Sequence, residues 1–453
     1  MRPAALILVA TLAPLALPFA VRAAEWRVGP GGFPTIAAAI AAAHPGDVIR
    51  IPAGRYPERL FLDKPLTLVG EGMPTIDGLG KGDVVAVKAP GCRIVGLHLT
   101  GSSREILSDA AAIKIDADRT VVERCTIDQS LYGLYISDTQ HARIMNNDIT
   151  GIATMGIHER GDGIRLHNSA HNLIKGNRIQ DTRDGIYFNA SPFNDMRDNA
   201  IRRVRYGLHY MSSDDNTFSR NRFTETEAGS ALMFSRRIHL RDNLFAGNRG
   251  YRAYGLLIKD CEDSTVEGNA VVGNRVGIFL DGAMRSTITR NRVVGNDLGF
   301  EVRGSSEGNT LSANTIAGNT ETIATPTGIG ENTWRGNYWS DYRGYDLDGD
   351  GLGDVPHEAG SVFSFLVENY PPARLFLLSP AVQALEFAER TFPIVDAPSI
   401  RDPAPAVHPT VAAEPAAGER REASPSAPFL ALAAGLLLLG LLPLLASRRA
   451  LRP

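Results

Sequence analysis

Asn199-Ala-Ile-Arg-Arg-Val-Arg-Tyr-Gly207-Leu-His-Tyr-Met-Ser-Ser213-Asp-Asp-Asn-Thr-Phe-Ser-Arg-Asn221 is one period of a repeat that runs down the middle of the chain. Its asparagines belong to the series Asn147, Asn177, Asn199, Asn221, Asn243, Asn269, Asn291 and Asn314, with steps of 30, 22, 22, 22, 26, 22 and 23 residues. Each is followed two places on by Ile, Val or Phe. A glycine, usually before Ile or Leu, keeps the same time at 133, 163, 185, 207, 229, 255, 277 and 299, 14 residues before an asparagine in every coil but the last, where the distance is 15. From asparagine to the next glycine the distance is 8 residues in five coils, 16 after Asn147 and 12 after Asn243. Two insertions therefore interrupt an otherwise regular solenoid, both in the same arm of the coil.

The residues after the glycines identify the solenoid. Ile164 and Leu166, Ile186 and Phe188, Leu208 and Tyr210, Ile278 and Leu280 are apolar at period two, the pattern of a strand with one face inward. Helical repeats need longer units and a 3.6-residue period, and leucine-rich repeats need a different leucine frame, so the expected fold is an all-β, right-handed parallel β-helix of ~22-residue coils. Stacked asparagines would then hydrogen-bond along the axis, one rung of ~4.8 Å to the next. Six residues after each glycine comes a column of small residues, Thr139, Ser169, Ser191, Ser213, Ser235, Cys261, Ala283 and Ser305, suited to a tight inward corner.

Composition agrees with one elongated domain. The chain has 45 glycines, 43% hydrophobic residues and a formal charge of −3, which gives no reason to expect a nucleic-acid partner. Three cysteines are too few for a disulfide framework, and Cys92 and Cys125 stand where ladder asparagines stand elsewhere, so they are read, with Cys261, as buried corner residues.

The termini suggest export. Residues 1–23, with Met1-Arg2, an apolar run from Ala4 to Val21 and the small-residue site Val21-Arg22-Ala23, have the pattern of a secretory signal peptide. The solenoid with its N-terminal cap is expected over 24–335. A short helix within 31–43, with Thr35 near its start, would cover the open end of the solenoid and hide an edge that otherwise recruits another strand. The stretch from Phe33 to Glu58 also resembles the first turn of pectinesterase-like and pectate-lyase-like proteins, a resemblance of fold and not of chemistry. Residues 336–395 are expected to form a C-terminal cap and docking segment, and the Pro/Ala-rich stretch 396–428 has the composition of a disordered linker. The apolar residues 429–446 would span roughly 27 Å as a transmembrane helix. With Arg448, Arg449 and Arg452 in the basic tail 447–453, this helix would anchor the solenoid on the periplasmic side of the inner membrane, a processed sorting signal being the rival reading of the same pattern.

Chemistry is sought in the outward columns. Two places after the glycines stand Tyr135, Arg165, Tyr187, His209, Ala231, Leu257, Phe279 and Glu301; four places after stand Ser137, His167, Asn189, Met211, Met233, Lys259, Asp281 and Arg303. The second column sets Met211 beside Met233, with His209 two residues away on the same face. Thioether and imidazole donors suit Cu(I) better than magnesium or calcium. The insertion before Gly163 adds Met155 and His158 near the coil that carries His167. The expected copper ligands are therefore Met155, His158, His167, His209, Met211 and Met233. Beyond the repeat, Asp346, Asp348, Asp350 and Asp354 fall at positions 1, 3, 5 and 9 of a calcium-loop pattern with Gly351 at 6, although His357 replaces the usual Glu at 12. A sugar-processing or carbohydrate-binding β-helix is the alternative, for which Asp162, Arg165, Arg183 and Asp184 are the available acids and bases.

The run Asn-Tyr-Trp-Ser-Asp-Tyr-Arg-Gly-Tyr-Asp-Leu-Asp-Gly-Asp-Gly-Leu-Gly-Asp-Val-Pro at 337–356, the Ser379-Pro-Ala segment and the Phe392-Pro pair, set after a signal peptide and this repeat, resemble the NosD family of nitrous oxide reductase maturation proteins. The resemblance covers roughly Trp26 to Val395. It implies a non-enzymatic periplasmic β-helix that works with an ABC transporter made of NosF and NosY. It further implies that such a protein receives copper from the lipoprotein NosL and helps assemble the copper centres of nitrous oxide reductase. The apolar C-terminal stretch departs from the family pattern of a soluble subunit held by its transporter partners.

Overall fold

A computed structural model of the chain describes residues 23–250, 253–328, 330–360 and 400–411, with five isolated positions between 361 and 399. Each coil folds as three strands, for example Asp195–Arg197, Ala200–Arg202 and Tyr206–Met211, here termed the first, second and long faces. The strands stack into three parallel sheets of 14, 13 and 12 members, wound as a right-handed β-helix of about 14 turns. Register follows the repeat: Asp195 pairs with Thr217, Ala200 with Arg222 and Tyr206 with Ala228. The core is a set of inward columns; Ile201, Phe223 and Phe245 are fully covered, and the two phenylalanine rings stack at 5.1 Å.

The repeated glycine has a steric cause. A Cβ on Gly207 would lie 2.4 Å from the Gly229 carbonyl oxygen and 2.6 Å from Phe223 Cδ1, and Gly133, Gly163, Gly185 and Gly229 meet the next rung equally closely. The long-face strand passes so near its neighbour that no side chain fits. The asparagine has an electrostatic cause. At its corner the chain turns through a left-handed residue, such as Asp198 (φ 58°) or Arg220 (φ 52°), and leaves inward N–H groups that strand pairing does not satisfy. Asn221 Oδ1 accepts from Asn199 N at 3.1 Å and Asn199 Nδ2 at 2.9 Å, and the same pair of bonds recurs from Asn147 to Asn337. Cys125 opens the ladder by donating its N–H to Asn147 Oδ1. Parallel ladders of Asn172, Asn194 and Asn216 and of Asn248, Asn274 and Asn296 line the other two corners. The small-residue column is buried as expected, except that Ser306 replaces the exposed Ser305, because the extra residue of the last coil shifts the corner by one.

Both ends of the solenoid are covered. Helix α1, Ile36–Ala42, starts at Thr35, whose side chain accepts from Ala38 N. The Glu58 carboxylate accepts from Ile36 N and Ala37 N, and Ile36, Ala39 and Ile40 pack on the first coil. At the other end Ile400–Asp402 pairs antiparallel with His357–Ala359. Composition assigns 400–411 to a disordered linker; the structure makes it a strap. Asp402 is wholly buried and accepts from Gly336 N, Asn337 N, Asn337 Nδ2 and Trp339 Nε1, standing where a further ladder asparagine would stand. Pro and Ala bias a chain toward extension but do not forbid a strand whose one carboxylate fills an unfinished ladder. Residues 1–22 of the expected signal peptide, nearly all of the expected docking segment from 361 to 395 and the apolar stretch 429–446 lie outside the described residues. Among the described residues no helix is long and apolar enough to cross a membrane.

Candidate functional site

The long face carries the outward columns in register. Arg165 pairs with Tyr187 and Tyr187 with His209; His167 pairs with Asn189, Asn189 with Met211, Met211 with Met233, and Met233 with Lys259. Met211 and Met233 are thus direct cross-strand neighbours, both partly exposed, with His209 two residues from Met211 on the same outer side. His167 is two rungs away, roughly 9.6 Å at ~4.8 Å per rung, too far to share one ion with the methionine pair. Its Nδ1 lies 3.2 Å from Asn189 Oδ1. Met155 and His158 sit on the insertion around the short turn Ile157–Glu159, His158 exposed and Met155 half-buried. Among the described residues no polar or ring contact joins either to His209 or to the methionine pair.

His209 is more constrained than its spacing suggests. Its Nδ1 lies 2.9 Å from Asp184 Oδ2, and its ring packs on Tyr187 at 4.9 Å and Tyr206 at 5.0 Å. A carboxylate only accepts, so the proton of that bond sits on Nδ1, and the neutral ring keeps its lone pair on Nε2. This is the carboxylate–imidazole arrangement that orients metal-binding histidines. Two thioethers and one such imidazole make a donor set fitted to copper in its softer oxidation state.

Asp184 belongs to a buried charge network. Arg205 holds it through Nε and Nη2 at 2.8 and 2.7 Å, and one rung earlier Arg183 holds Asp162 through the same two nitrogens at 3.1 and 2.9 Å. Both carboxylates have no exposed side-chain surface. Burial, and then the charge of Asp184, push the Asp162 pKa up to about 6. Burial works in the same direction on Asp184, but hydrogen bonds from His209 and Arg205 outweigh it and hold its pKa below the ordinary carboxylate value. Arg165 lies 3.6 Å from Asp162, donates to Tyr132 Oη at 3.0 Å and stacks between the rings of Tyr135 and Tyr187 at 5.4 and 4.9 Å.

Sequence reasoning offers Asp162, Arg165, Arg183 and Asp184 as the acids and bases of a carbohydrate site and does not reveal Arg205 or the burial of the two carboxylates. A signal was present in the column just before the glycines, where Asp162 and Asp184 replace the aromatic or aliphatic residues Tyr132, Tyr206, Ala228, Tyr254, Val276 and Leu298. Elsewhere, Asp346, Asp348 and Asp350 bring carboxylate oxygens within 4.8 Å of one another, while Asp354 accepts from Leu347 N at 2.7 Å and stands outside that group. All three cysteines are buried and unbridged; burial raises the Cys125 thiol to about 11 and the Cys261 thiol to about 12, which keeps them protonated and structural.

Comparison with known proteins narrows the family. A family described as "Periplasmic copper-binding protein (NosD)" matches residues 151–344, and one described as "Protein of unknown function (DUF1565)" matches 30–230. The chain is 35% identical over 383 residues to a "Probable ABC transporter binding protein NosD" of Pseudomonas aeruginosa, covering 80% of this chain and 88% of that one. It is 32% identical over 376 residues to the protein of the same description from Stutzerimonas stutzeri, covering 79% and 86%. Among solved structures it is similar to a PL6 alginate lyase in complex with a trisaccharide, with a TM-score of 0.53 at 14% identity over 75% of this chain and 90% of that one. A DFA-IIIase from Arthrobacter chlorophenolicus has a TM-score of 0.50 at 14% identity, covering 64% and 94%. These structural likenesses show the β-helix alone. The identity along four fifths of the sequence shows more: the chain belongs to the NosD family of periplasmic copper-binding proteins.

Proposed function

We propose that the protein is a periplasmic accessory subunit, not an enzyme, that carries Cu(I) as cargo on its long face. In this reading it docks on an ABC transporter and serves assembly of the copper centres of nitrous oxide reductase. The observation that carries the reading is the Met211–Met233 pair with His209 beside it, oriented by Asp184, in a chain of this family. His167 is a second station further along the same column, and Met155 and His158 stand on the insertion of its coil. The transporter partners are a NosF-like ATPase and a NosY-like permease, with a NosL-like lipoprotein as copper donor. The stretch 429–446, backed by arginines, holds the solenoid at the inner membrane. Asp346, Asp348 and Asp350, with Asp354 behind them, form a separate loop for calcium.

Competition with a Cu(I) chelator tests the assignment. Purified protein should bind Cu(I), and Met211→Ala with Met233→Ala should weaken binding at least tenfold, whereas Asp346→Asn should leave copper affinity unchanged and abolish calcium binding measured by titration calorimetry. Unchanged copper affinity in the double variant would reject the methionine site, and a calcium heat that survives Asp346→Asn would reject the loop.

A further inference from the structure

Before it reaches the copper-ligand candidate His209, the first outward column of the long face alternates cations with aromatic rings. Lys114, Tyr135, Arg165, Tyr187 and His209 occupy five successive rungs in unbroken register. Lys114 Nζ lies 5.0 Å from the Tyr135 ring, Arg165 lies 5.4 Å from that ring and 4.9 Å from Tyr187, and Tyr187 meets the His209 ring at 4.9 Å. All five side chains are partly exposed. Four rung intervals make a stripe roughly 19 Å long.

The arginine–carboxylate network beneath the stripe carries one surplus positive charge. Three arginines face two carboxylates: Arg183 is spent on Asp162 and Arg205 on Asp184. Arg165 is 3.6 Å from a carboxylate already held, and its one direct hydrogen bond among the described residues goes to a phenol. Its guanidinium sits among the rings of Tyr132, Tyr135 and Tyr187, 5.4, 5.4 and 4.9 Å from their centres. Two loops flank the same side, because the segment 101–110, with exposed Ile106 and Leu107, and the segment 151–162 both enter long-face strands at the same corner. They border the stripe along one side only, making a one-walled groove with it.

We propose that this groove binds a linear saccharide bearing carboxylates, a uronate oligomer. Tyrosine faces take the C–H faces of sugar rings, and a fixed guanidinium takes a carboxylate, so the ligand must offer both. Period decides between a saccharide and an acidic peptide. Cations stand two rungs apart, Lys114 and Arg165, with the Tyr135 ring between them and the Tyr187 ring on the rung beyond. A 1,4-linked polymer in a two-fold ribbon turns alternate residues to opposite sides, and one sugar is about as long as one rung is tall. Carboxylates on one side of such a ribbon therefore meet cations, while the intervening sugars lie over tyrosines. An extended acidic peptide has no ring to place on Tyr135 and Tyr187. Asp162 and Asp184 are both engaged by arginines, so neither is placed to abstract a proton, and the groove binds without turning over its ligand.

Titration calorimetry with hexameric mannuronate and guluronate, a neutral hexameric cello-oligosaccharide and an oligoglutamate peptide tests the proposal on the full chain. At least one uronate hexamer should bind, the neutral sugar and the peptide at least tenfold more weakly. Arg165→Gln and Tyr187→Leu should each weaken uronate binding at least tenfold. Tyr135→Leu, outside the buried network, repeats the test should either of these variants fail to fold. Absence of uronate binding, equal binding of the peptide, or full affinity in folded Arg165→Gln and Tyr135→Leu would overturn it. Chelator competition on Arg165→Gln and Tyr135→Leu, neither of which touches His209 or the methionine pair, should show unaltered Cu(I) affinity, which separates failure of the groove from failure of the copper reading.

Discussion

Single residues in this chain are chosen by what stands one rung away. Gly207 is not needed for an unusual backbone angle; it is needed because Gly229 O and Phe223 occupy the space a Cβ would take. Gly207→Ala should lower stability by about 2 kcal/mol, the cost of forcing an extra carbon into a packed site. The measurement is a denaturant midpoint with an unchanged slope; an unaltered midpoint would mean that neighbouring rungs part without cost. Asp162 makes a second residue-scale prediction. Its folded pKa, about 6, lies above the ordinary carboxylate value of ~3.9. The folded state therefore holds the proton more tightly, so this group's contribution is largest below pH ~4, falls as pH rises to about 6, and is flat above. Asp184 has the opposite sign, since its depressed pKa gives stability above the ordinary value that is lost on acidification below it. Asp162→Asn should remove the decline between pH 4 and 6 in thermal scans while leaving the acid limb below pH 4 in place.

At the scale of elements, ladders explain why so many asparagines lie in the core without penalty. Along the ladder from Asn177 to Asn314 each Oδ1 serves two donors of the preceding rung and each Nδ2 finds both an amide oxygen and a carbonyl, as Asn199 does with Asn221 Oδ1 and Ile174 O. A ladder has ends, however, and an unpaired buried N–H costs about 1–3 kcal/mol. Cys125 closes one end with its backbone and Asp402 closes the other with a carboxylate. Asp402→Ala would strip acceptors from five donors at once, those of Gly336, Asn337 N and Nδ2, Trp339 and Ala404. Amide exchange should then quicken sharply over 333–339 and stay slow at Asn199 and Asn221. Uniform quickening along the solenoid would show that the strap holds the whole stack rather than its last coil.

On the scale of the molecule the solenoid brings together residues far apart in the chain, and it does so on one face. The long face has the longest strands, is entered through all the insertions, and carries both the soft donors and the aromatic–cation stripe. Repetition made part of this readable in advance. The glycine and asparagine phases, the inward columns, the capping helix at Thr35 and the Met211–Met233 register all follow from counting residues, because in a parallel β-helix sequence position modulo one coil is spatial position. Legibility failed where position within the coil stops predicting environment. Asp162 and Asp184 look like turn charges until Arg183 and Arg205 from the following coils fold over them. Asp402 looks like part of a linker until the unfinished Asn337 rung draws it in from 65 residues away.

Periodicity alone therefore determined the fold, its register and the columns in which functional side chains stand, since each rung repeats the steric and hydrogen-bonding demands of the last. Tertiary structure decided which charges are buried, which imidazole is held in one tautomer by a carboxylate, and what closes the ladder. Those outcomes depend on non-repeating side chains meeting across rungs, where distance and desolvation, not spacing, set the energy.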